Sequence, residues 1–356
     1  MLVAYNLALT ENRPNTMVSL SFILVNWNCI AFTEQCVAAI FRTVTDVDFE
    51  VIVVDNASGD APCQGLADRF PAVRLILSRE NLGFGGANNL AARFASGRIL
   101  FFLNPDTILL EDAAKRAYQV LETSPDAGVV GCRFVNSDGS LQLSSVQAFP
   151  SVTNQLFANQ WLQQWLPGTH GKAALYAKVP NAVCEVDVVS GAGLLMRRQV
   201  FDHVGGFSRE YFMYAEEVDL CYRVHRAGLK VLHCGDAHVV HFGGQSTRHC
   251  EEGYADLAMR ESIHQFLLRT RGATSAALYR AALVVGGVFR VSIVGIALLF
   301  LRHRRRQMAL MVMRKWRRIA RWALKEAATK DGSSGHQAVM ASSVKIEPAS
   351  SERYLV

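Results

Sequence analysis

The sequence predicts an α/β fold organised on a parallel sheet. Three observations predict it: short apolar runs alternate with amphipathic stretches from Val18 onward, half of the 356 residues are apolar, and each run ends abruptly in polar residues or glycine. A chain of this length and composition can bury one large or two modest cores and is not a disordered protein. Eight cysteines, at 29, 36, 63, 132, 184, 221, 234 and 250, form no C-x-x-C pair in a chain too long to need stapling, which reads as reduced thiols of a cytosolic protein.

Taken in order, residues 1–16 lack the basic flank, sustained apolar core and cleavage site of a signal peptide and are expected to be an extension ahead of a natural start at Met17. Strand VSLSFILV follows, then a helix near 32–44, VIVV at 51–54, a short helix, VRLIL at 73–77, a helix near 84–96, and RILFFL. Four such β-α repeats imply right-handed crossovers between parallel strands. A helix near 111–123, with Glu111 and Asp112 suited to the positive end of its dipole, leads to GVVGCRFV and closes a first half, 17–135. A second half, 136–272, opens with a weakly periodic, loop-rich stretch to about 186 that holds NSDGS, Trp161, Trp165 and PGTHG, the kind of insertion that carries specificity. Order returns with DVVSGAGLLMRR, a helix-like QVFDHVGGF, an acidic helix start at Glu216-Glu217, and a helix near 250–271.

The stretch FFLNPDTIL places Asp106 just past the carboxyl end of a buried strand, the edge of an open α/β sheet where ligands bind, so its carboxylate suits a divalent cation held against a phosphate. Asn-Pro-Asp is also good turn chemistry. Asn26 to Asn28 and Asp55-Asn56 end two more strands on that edge, with a turn cap the plain alternative for Asp55. NLGFGGANN, 81–89, is a glycine-rich helix start whose free N–H groups would face a diphosphate, although its spacing is not that of a dinucleotide fingerprint.

In this order, ILVNWN, VIVVDNASGD, NLGFGGANN, FFLNPD, SGAGLLMRR and GGFSREYFMYAEEVDLCYR resemble the signature of family 2 inverting glycosyltransferases of the glycosyltransferase A fold, most similar to their bacterial rhamnosyltransferase-like branch, over roughly residues 18–270. The resemblance implies a Rossmann-like nucleotide-sugar domain, with the donor half at 17–135 and the acceptor-binding and catalytic half at 136–272. It implies a donor site of Val25, Asn26, Asn28, Asp55 (on the base), Asn56, Asn81, Gly86, Asn89, Asn104 and Asp106, the last two at the family's D-x-D position. Asn104 cannot supply charge, so one carboxylate, phosphates and waters would hold magnesium or manganese with room for a further ligand. The family's acidic pair is here Glu216-Glu217, so Glu217 becomes the general base, and His241 the second metal ligand. For that pair the plain alternative is dipole-favoured acids beside an Asp219–Arg223 ion pair, and for His241 a structural histidine near His238.

Residues 273–330 read as membrane-associated helices. Residues 281–301 are long enough to span a bilayer, but Arg290 interrupts them, and the RHRRR at 302–306 should stay cytoplasmic, which would put the catalytic half on the wrong side of a single span. An interfacial helix or hairpin is therefore expected, peripheral or monotopic on the cytoplasmic face of the bacterial inner membrane. Met308, Val312, Trp316, Ile319 and Ala323 fall on one helical face, and Arg314, Arg317, Arg318, Arg321 and Lys325 on another. Residues 302–325 hold ten Lys or Arg and no acid, and without them the net +6 becomes −4. That local charge points to an anionic membrane surface rather than nucleic acid. Residues 331–356 read as a disordered tail. The expected activity is transfer of a sugar, rhamnose from dTDP-rhamnose, to a lipid-linked or cell-surface glycan acceptor. The alternatives are an inactive nucleotide-sugar-binding membrane protein or a processive synthase relative.

Overall fold

A computed structural model describes residues 3–5, 18–59, 63–156, 182–244, 253–298 and 303–328. Trp161, Trp165, PGTHG, Cys250 and the tail from 331 lie outside the described residues.

One twisted sheet carries the fold. Four parallel strands form as expected: β2 (Leu20–Asn26), β3 (Phe49–Asp55), β4 (Val73–Leu77) and β5 (Ile99–Leu103). They are almost continuously apolar because both faces are covered. Packed on one face are α1 (Ile30–Thr43), α2 (Gln64–Arg69) and α4 (Ala113–Thr123); on the other lies α3 (Gly83–Phe94). Alternation along each strand sorts the two cores, so Phe22 and Leu24 join one and Ile23 and Val25 the other.

Beyond β5 the sheet departs from the parallel expectation. β1 (Val3–Tyr5) pairs antiparallel with β4 at one edge, inside the stretch read as an extension. Past Asp106 the chain forms β6 (Thr107–Leu109), and after α4 comes β7 (Ala127–Val135). A short pair, β8 (Val146–Gln147) with β10 (Val188–Val189), and a five-residue helix α5 (Val152–Leu156) order part of the loop-rich stretch, and β9 (Val183–Glu185) lies on the main sheet. β11 (Gly193–Arg197) then inserts antiparallel between β5 and β7, so the strand that joins the two halves comes from 90 residues after β5 in sequence number 103 to 193. Following α6 (Arg198–His203) and α7 (Glu216–Arg226), β12 (Lys230–His241) runs parallel to β7 and antiparallel to β6. Sequence periodicity detects strands but not partners, which is why the mixed order was not visible.

The helix expected near 250–271 is α8 (Tyr254–Ala297), broken at Gly272, whose φ of 82° and ψ of 171° leave the helical region where the composition changes. α9 (His303–Ala328) packs back along it as an antiparallel hairpin, with Arg280 donating to the Ala323 carbonyl and Ala320 against Gly287. Here the apolar-face expectation needs correcting. Trp316, Ile319 and Ala323 do not face outward but pack with Ile263, Leu267, Tyr279 and Leu283 in a third core, while Met308 and Val312 stay exposed. The outward apolar stripe is on α8 instead: Leu278, Val285, Phe289 and Ile296 recur at helical spacing.

Candidate active site

The carboxyl ends of β2, β3 and β5 open onto a cleft of about 260 Å³, closed on the far side by the loop leading into α7. Its lining includes Val25, Trp27, Asn56, Asn81, Asn104, Asp106, Glu216, Glu217 and His241. Three further expected residues sit at the adjoining strand ends, outside that lining. Asn26, fully buried, donates to Asp55 Oδ1 at 3.0 Å and to Ser58 Oγ at 3.1 Å, and its own oxygen accepts from Thr33 Oγ1 at 2.8 Å. Asn28 accepts from Gly59 N–H at 2.7 Å, and Ser58 Oγ donates to Asp55 at 2.5 Å, so this group presets the Asp55 carboxylate.

The glycine-rich segment is placed differently from the expectation. Leu82 N–H donates to Asn56 Oδ1 at 2.8 Å, Gly83 N–H to Asn81 Oδ1 at 2.9 Å, and Phe84 N–H to Phe212 O at 3.1 Å. Those donors are therefore spent within the protein and do not face a diphosphate. Gly83 is required there, since at φ +70° a Cβ would lie 2.1 Å from Phe212 O. Gly86 and Asn89 do not line the cleft. A Cβ on Gly86 would meet Leu82 at 3.2 Å, and Asn89 holds Phe207 by both backbone groups, at 2.8 and 2.9 Å. Asn89 thus fastens α3 to the loop before α7. Nothing in residues 81–89 alone could reveal a cover supplied 130 positions later.

Asp106 and His241 meet because β6 pairs with β12: Thr107 is registered opposite His241, and Phe242 N–H donates to Asp106 O at 3.0 Å. His241 Nε2 lies 3.5 Å from Asp106 Oδ1, is buried, and has no hydrogen-bond partner. Gln142 Nε2 donates to Asn136 Oδ1 at 2.7 Å and to His241 O at 2.5 Å, which leaves Gln142 Oε1 facing His241 Nδ1 at 3.1 Å. An amide oxygen only accepts, so Nδ1 carries the ring proton and the Nε2 lone pair points at the cleft. A carboxylate and an imidazole lone pair at this separation fit a divalent ion completed by phosphate oxygens and water, and the orphaned Nε2 is the observation that tests the fit. Among the described residues no third His, Cys, Asp or Glu joins them.

Opposite stands α7, entered through two successive left-handed residues, Tyr214 at φ 70° and Ala215 at φ 61°. Outside glycine that conformation costs of order 1 kcal/mol each, and here it turns both glutamates toward the cleft. Glu216 is 4% exposed and its Oε2 has no partner. Burial, and then the neighbouring Glu217, push its pKa well above the usual carboxylate range. Glu217 is partly exposed, and burial raises its pKa against an opposing hydrogen bond from Gln147 Nε2 at 3.3 Å. Asp219 and Arg223 pair at 2.7 Å, as the plain reading of this helix expected, without competing for either glutamate. Gln142 and Gln147 were missed by sequence reasoning. Both lie in the weakly periodic insertion, which signalled a functional loop but not which residues touch His241 and Glu217.

Comparison with known proteins fits this geometry. Residues 21–183 match the Glycosyl transferase family 2 profile. The chain is 29% identical over 214 residues to the N-acetylglucosaminyl-diphospho-decaprenol L-rhamnosyltransferase of Mycobacterium tuberculosis (57% of this chain, 69% of that one) and 28% identical over 210 residues to rhamnosyltransferase WbbL of Escherichia coli K12 (57% and 76%). The crystal structure of GalNAc-T7 with UDP, GalNAc and Mn2+ aligns with a TM-score of 0.53 at 12% identity, over 71% of this chain and 48% of that one, and shows the shared fold. Residues 21–183 thus carry a match to the Glycosyl transferase family 2 domain, and the chain is a glycosyltransferase similar to the bacterial rhamnosyltransferases.

Proposed function

We propose that the chain moves rhamnose from dTDP-rhamnose to a lipid-linked glycan acceptor, with inversion, in a single displacement at the cleft described above. The observation that carries this reading is the convergence of Glu217, Asp106 and His241 on one cleft from three distant stretches of sequence. Glu217 takes the proton of an acceptor hydroxyl while that oxygen attacks the anomeric carbon, and the bond to the nucleotide diphosphate breaks on the opposite face. A carboxylate whose pKa is raised by burial is the stronger base, which suits this role near neutral pH. Asp55, preset by Asn26 and Ser58, accepts a hydrogen bond from the base; Asn56 and Asn81 fix the donor wall.

Asp106 and His241 would hold the magnesium or manganese ion, whose chemistry when bound is to stabilise charge on the departing diphosphate. The rhamnosyl relatives support the donor sugar, and the M. tuberculosis relative's name supports a polyprenyl diphosphate-linked acceptor. The outward apolar stripe of α8, with exposed Arg314, Arg317 and Arg321 on α9, supports a monotopic seat on the cytoplasmic face of an anionic membrane. α8 also has the length and composition of a spanning helix. Incubation with dTDP-rhamnose, manganese and a synthetic lipid-diphosphate acceptor tests the reading, product being followed by mass. Chelator-sensitive transfer that disappears in Glu217→Gln is expected. Transfer undiminished in chelator would remove the metal role, and no turnover of any nucleotide sugar would leave only a binding protein.

A further inference from the structure

Where the α8–α9 hairpin folds over α5, a small recess is lined by Gln155, Tyr279, Ala282, Leu283, Arg290 and Trp316. The Arg290 guanidinium lies over the Trp316 ring, 4.2 Å from its centroid, and donates to the Gly286 carbonyl at 3.2 Å. Arg260, from the first half of α8, donates to Gln155 Oε1 at 3.1 Å and sits close enough to repel Arg290. Neither guanidinium has a carboxylate partner among the described residues; the nearby acids Asp256 and Glu210 are paired with Lys315 and Arg269. Tyr279 is fully buried, and its hydroxyl stands against the Arg260 guanidinium, which can only donate to it, so the phenolic proton has no acceptor.

Two like charges, Arg290 in the recess and Arg260 beside it, with a phenolic proton that has no acceptor, are costly without a counter-ion. Forked guanidiniums suit the oxygens of phosphate. The enclosed space is about 10 Å³, enough for one oxygen, so a phosphate would seat one oxygen inside and keep its ester at the mouth. The residues around Arg290 on its own helix say what that ester carries. Val285, Val288, Phe289 and Ile293 are all at least half exposed, an apolar collar beside the charged recess.

We propose that Arg260, Arg290 and the Tyr279 hydroxyl form a binding site for the phosphate of a lipid. The site is separate from the cleft yet coupled to it: on the same helix, two residues past Arg260, Ser262 Oγ donates at 2.8 Å to the carbonyl of Met213, which lines the cleft. A lipid phosphate seated there fixes the height of the cleft above the membrane. The inference rests on the membrane-seated reading of the hairpin.

The test uses the full chain and three kinds of vesicle: phosphatidylcholine alone, the same doped with phosphatidic acid, and the same doped with a polyprenyl diphosphate. Arg260→Gln and Arg290→Gln should each weaken binding to a phosphate-bearing vesicle about tenfold or more, and Tyr279→Phe, which keeps the ring packing, about threefold. Arg314→Gln with Arg317→Gln removes two charges from the exposed face of α9 and should cost only the salt-sensitive share. Recess-dependence with phosphatidic acid identifies a bilayer phospholipid as the ligand, and with the polyprenyl diphosphate alone the acceptor's own diphosphate. Equal losses from recess and surface variants in every vesicle, or no preference for either phosphate lipid over phosphatidylcholine, would overturn the site. Hydrolysis of the nucleotide sugar without acceptor reads the cleft by itself and should stay at the wild-type rate in all four variants. Its absence from the wild type as well would count against the catalytic reading, not the recess.

Discussion

The two walls of the cleft are built on opposite principles. On the donor wall, Asn26, Asp55, Ser58, Asn56 and Asn81 bond to one another, so the strand ends are satisfied before any ligand arrives. On the facing wall, Glu216 Oε2 is buried without a partner, as is His241 Nε2 across the cleft from it, and two left-handed residues hold the loop that presents the glutamates. One wall is preorganised by completed hydrogen bonds and the other holds unmet bonding capacity, which binding of substrate and ion would relieve. Recognition of an invariant nucleotide favours the first arrangement, and bond-making chemistry favours the second.

The sharpest way to break the contrast is at the reactive wall. Glu217→Gln should lower kcat by about 10²-fold or more with donor affinity little changed, because the amide keeps shape but cannot take a proton. Glu216→Gln should be milder, and equal losses with weakened donor binding in both would reduce the pair to structure. Asp106→Ala should abolish transfer and remove the manganese dependence of nucleotide diphosphate affinity, measured by calorimetry. His241→Ala should weaken manganese affinity while leaving the fold intact, and Gln142→Ala should do so less, through loss of the fixed tautomer.

On the donor wall the same kind of change should register as stability. Asn26→Ala leaves the Thr33 hydroxyl only the Cys29 carbonyl, at 3.3 Å, and Asp55 only Ser58, at a cost of roughly 1 kcal/mol in denaturant unfolding. An unchanged midpoint would show that the network is not what holds this wall. The smaller effects concern pH. Removing the Gln147 hydrogen bond, which favours ionised Glu217, should move the acidic limb of kcat/KM further up, and Gln147→Ala measures this. Glu216 has a folded pKa above its unfolded one, so the stability it contributes is fully present below the unfolded carboxylate pKa and is lost as pH rises through the folded value. Glu216→Gln should therefore raise the Tm at neutral pH and match the wild type below about pH 4. The opposite order would mean that Glu216 is ionised and paired in the folded protein.

Much of the site was legible because strand ends carry a local signature: an apolar run stopped by Asn-Pro-Asp or Asp-Asn marks both the edge and its polar residues. Asp106, Asp55 and Asn56 were found that way, while Glu217 and His241 required the family resemblance. What sequence could not show is set by contacts between distant stretches: the N–H groups of 82–84 covered by Asn56, Asn81 and Phe212, Asn89 turned to Phe207, and the two glutamines of the insertion. The tail repeats the lesson. Gly272 marked a real break, but Ile263 and Leu267 before it pack with Tyr279 and Leu283 after it, so cutting there uncovers an apolar face as well as removing the proposed membrane seat.

The antiparallel strand β11 has a consequence for how the protein is made. β5 and β7 are not paired with each other; residues 193–197 complete β5 and one side of β7, so when Val135 has left the ribosome both still present unpaired edges. At about 5–20 residues per second, the 58 residues from 135 to 193 take roughly 3–12 s to synthesise. During that interval the nascent chain carries one open edge on β5 and two on β7, a window in which chaperones would bind and neighbouring chains on the same message would aggregate.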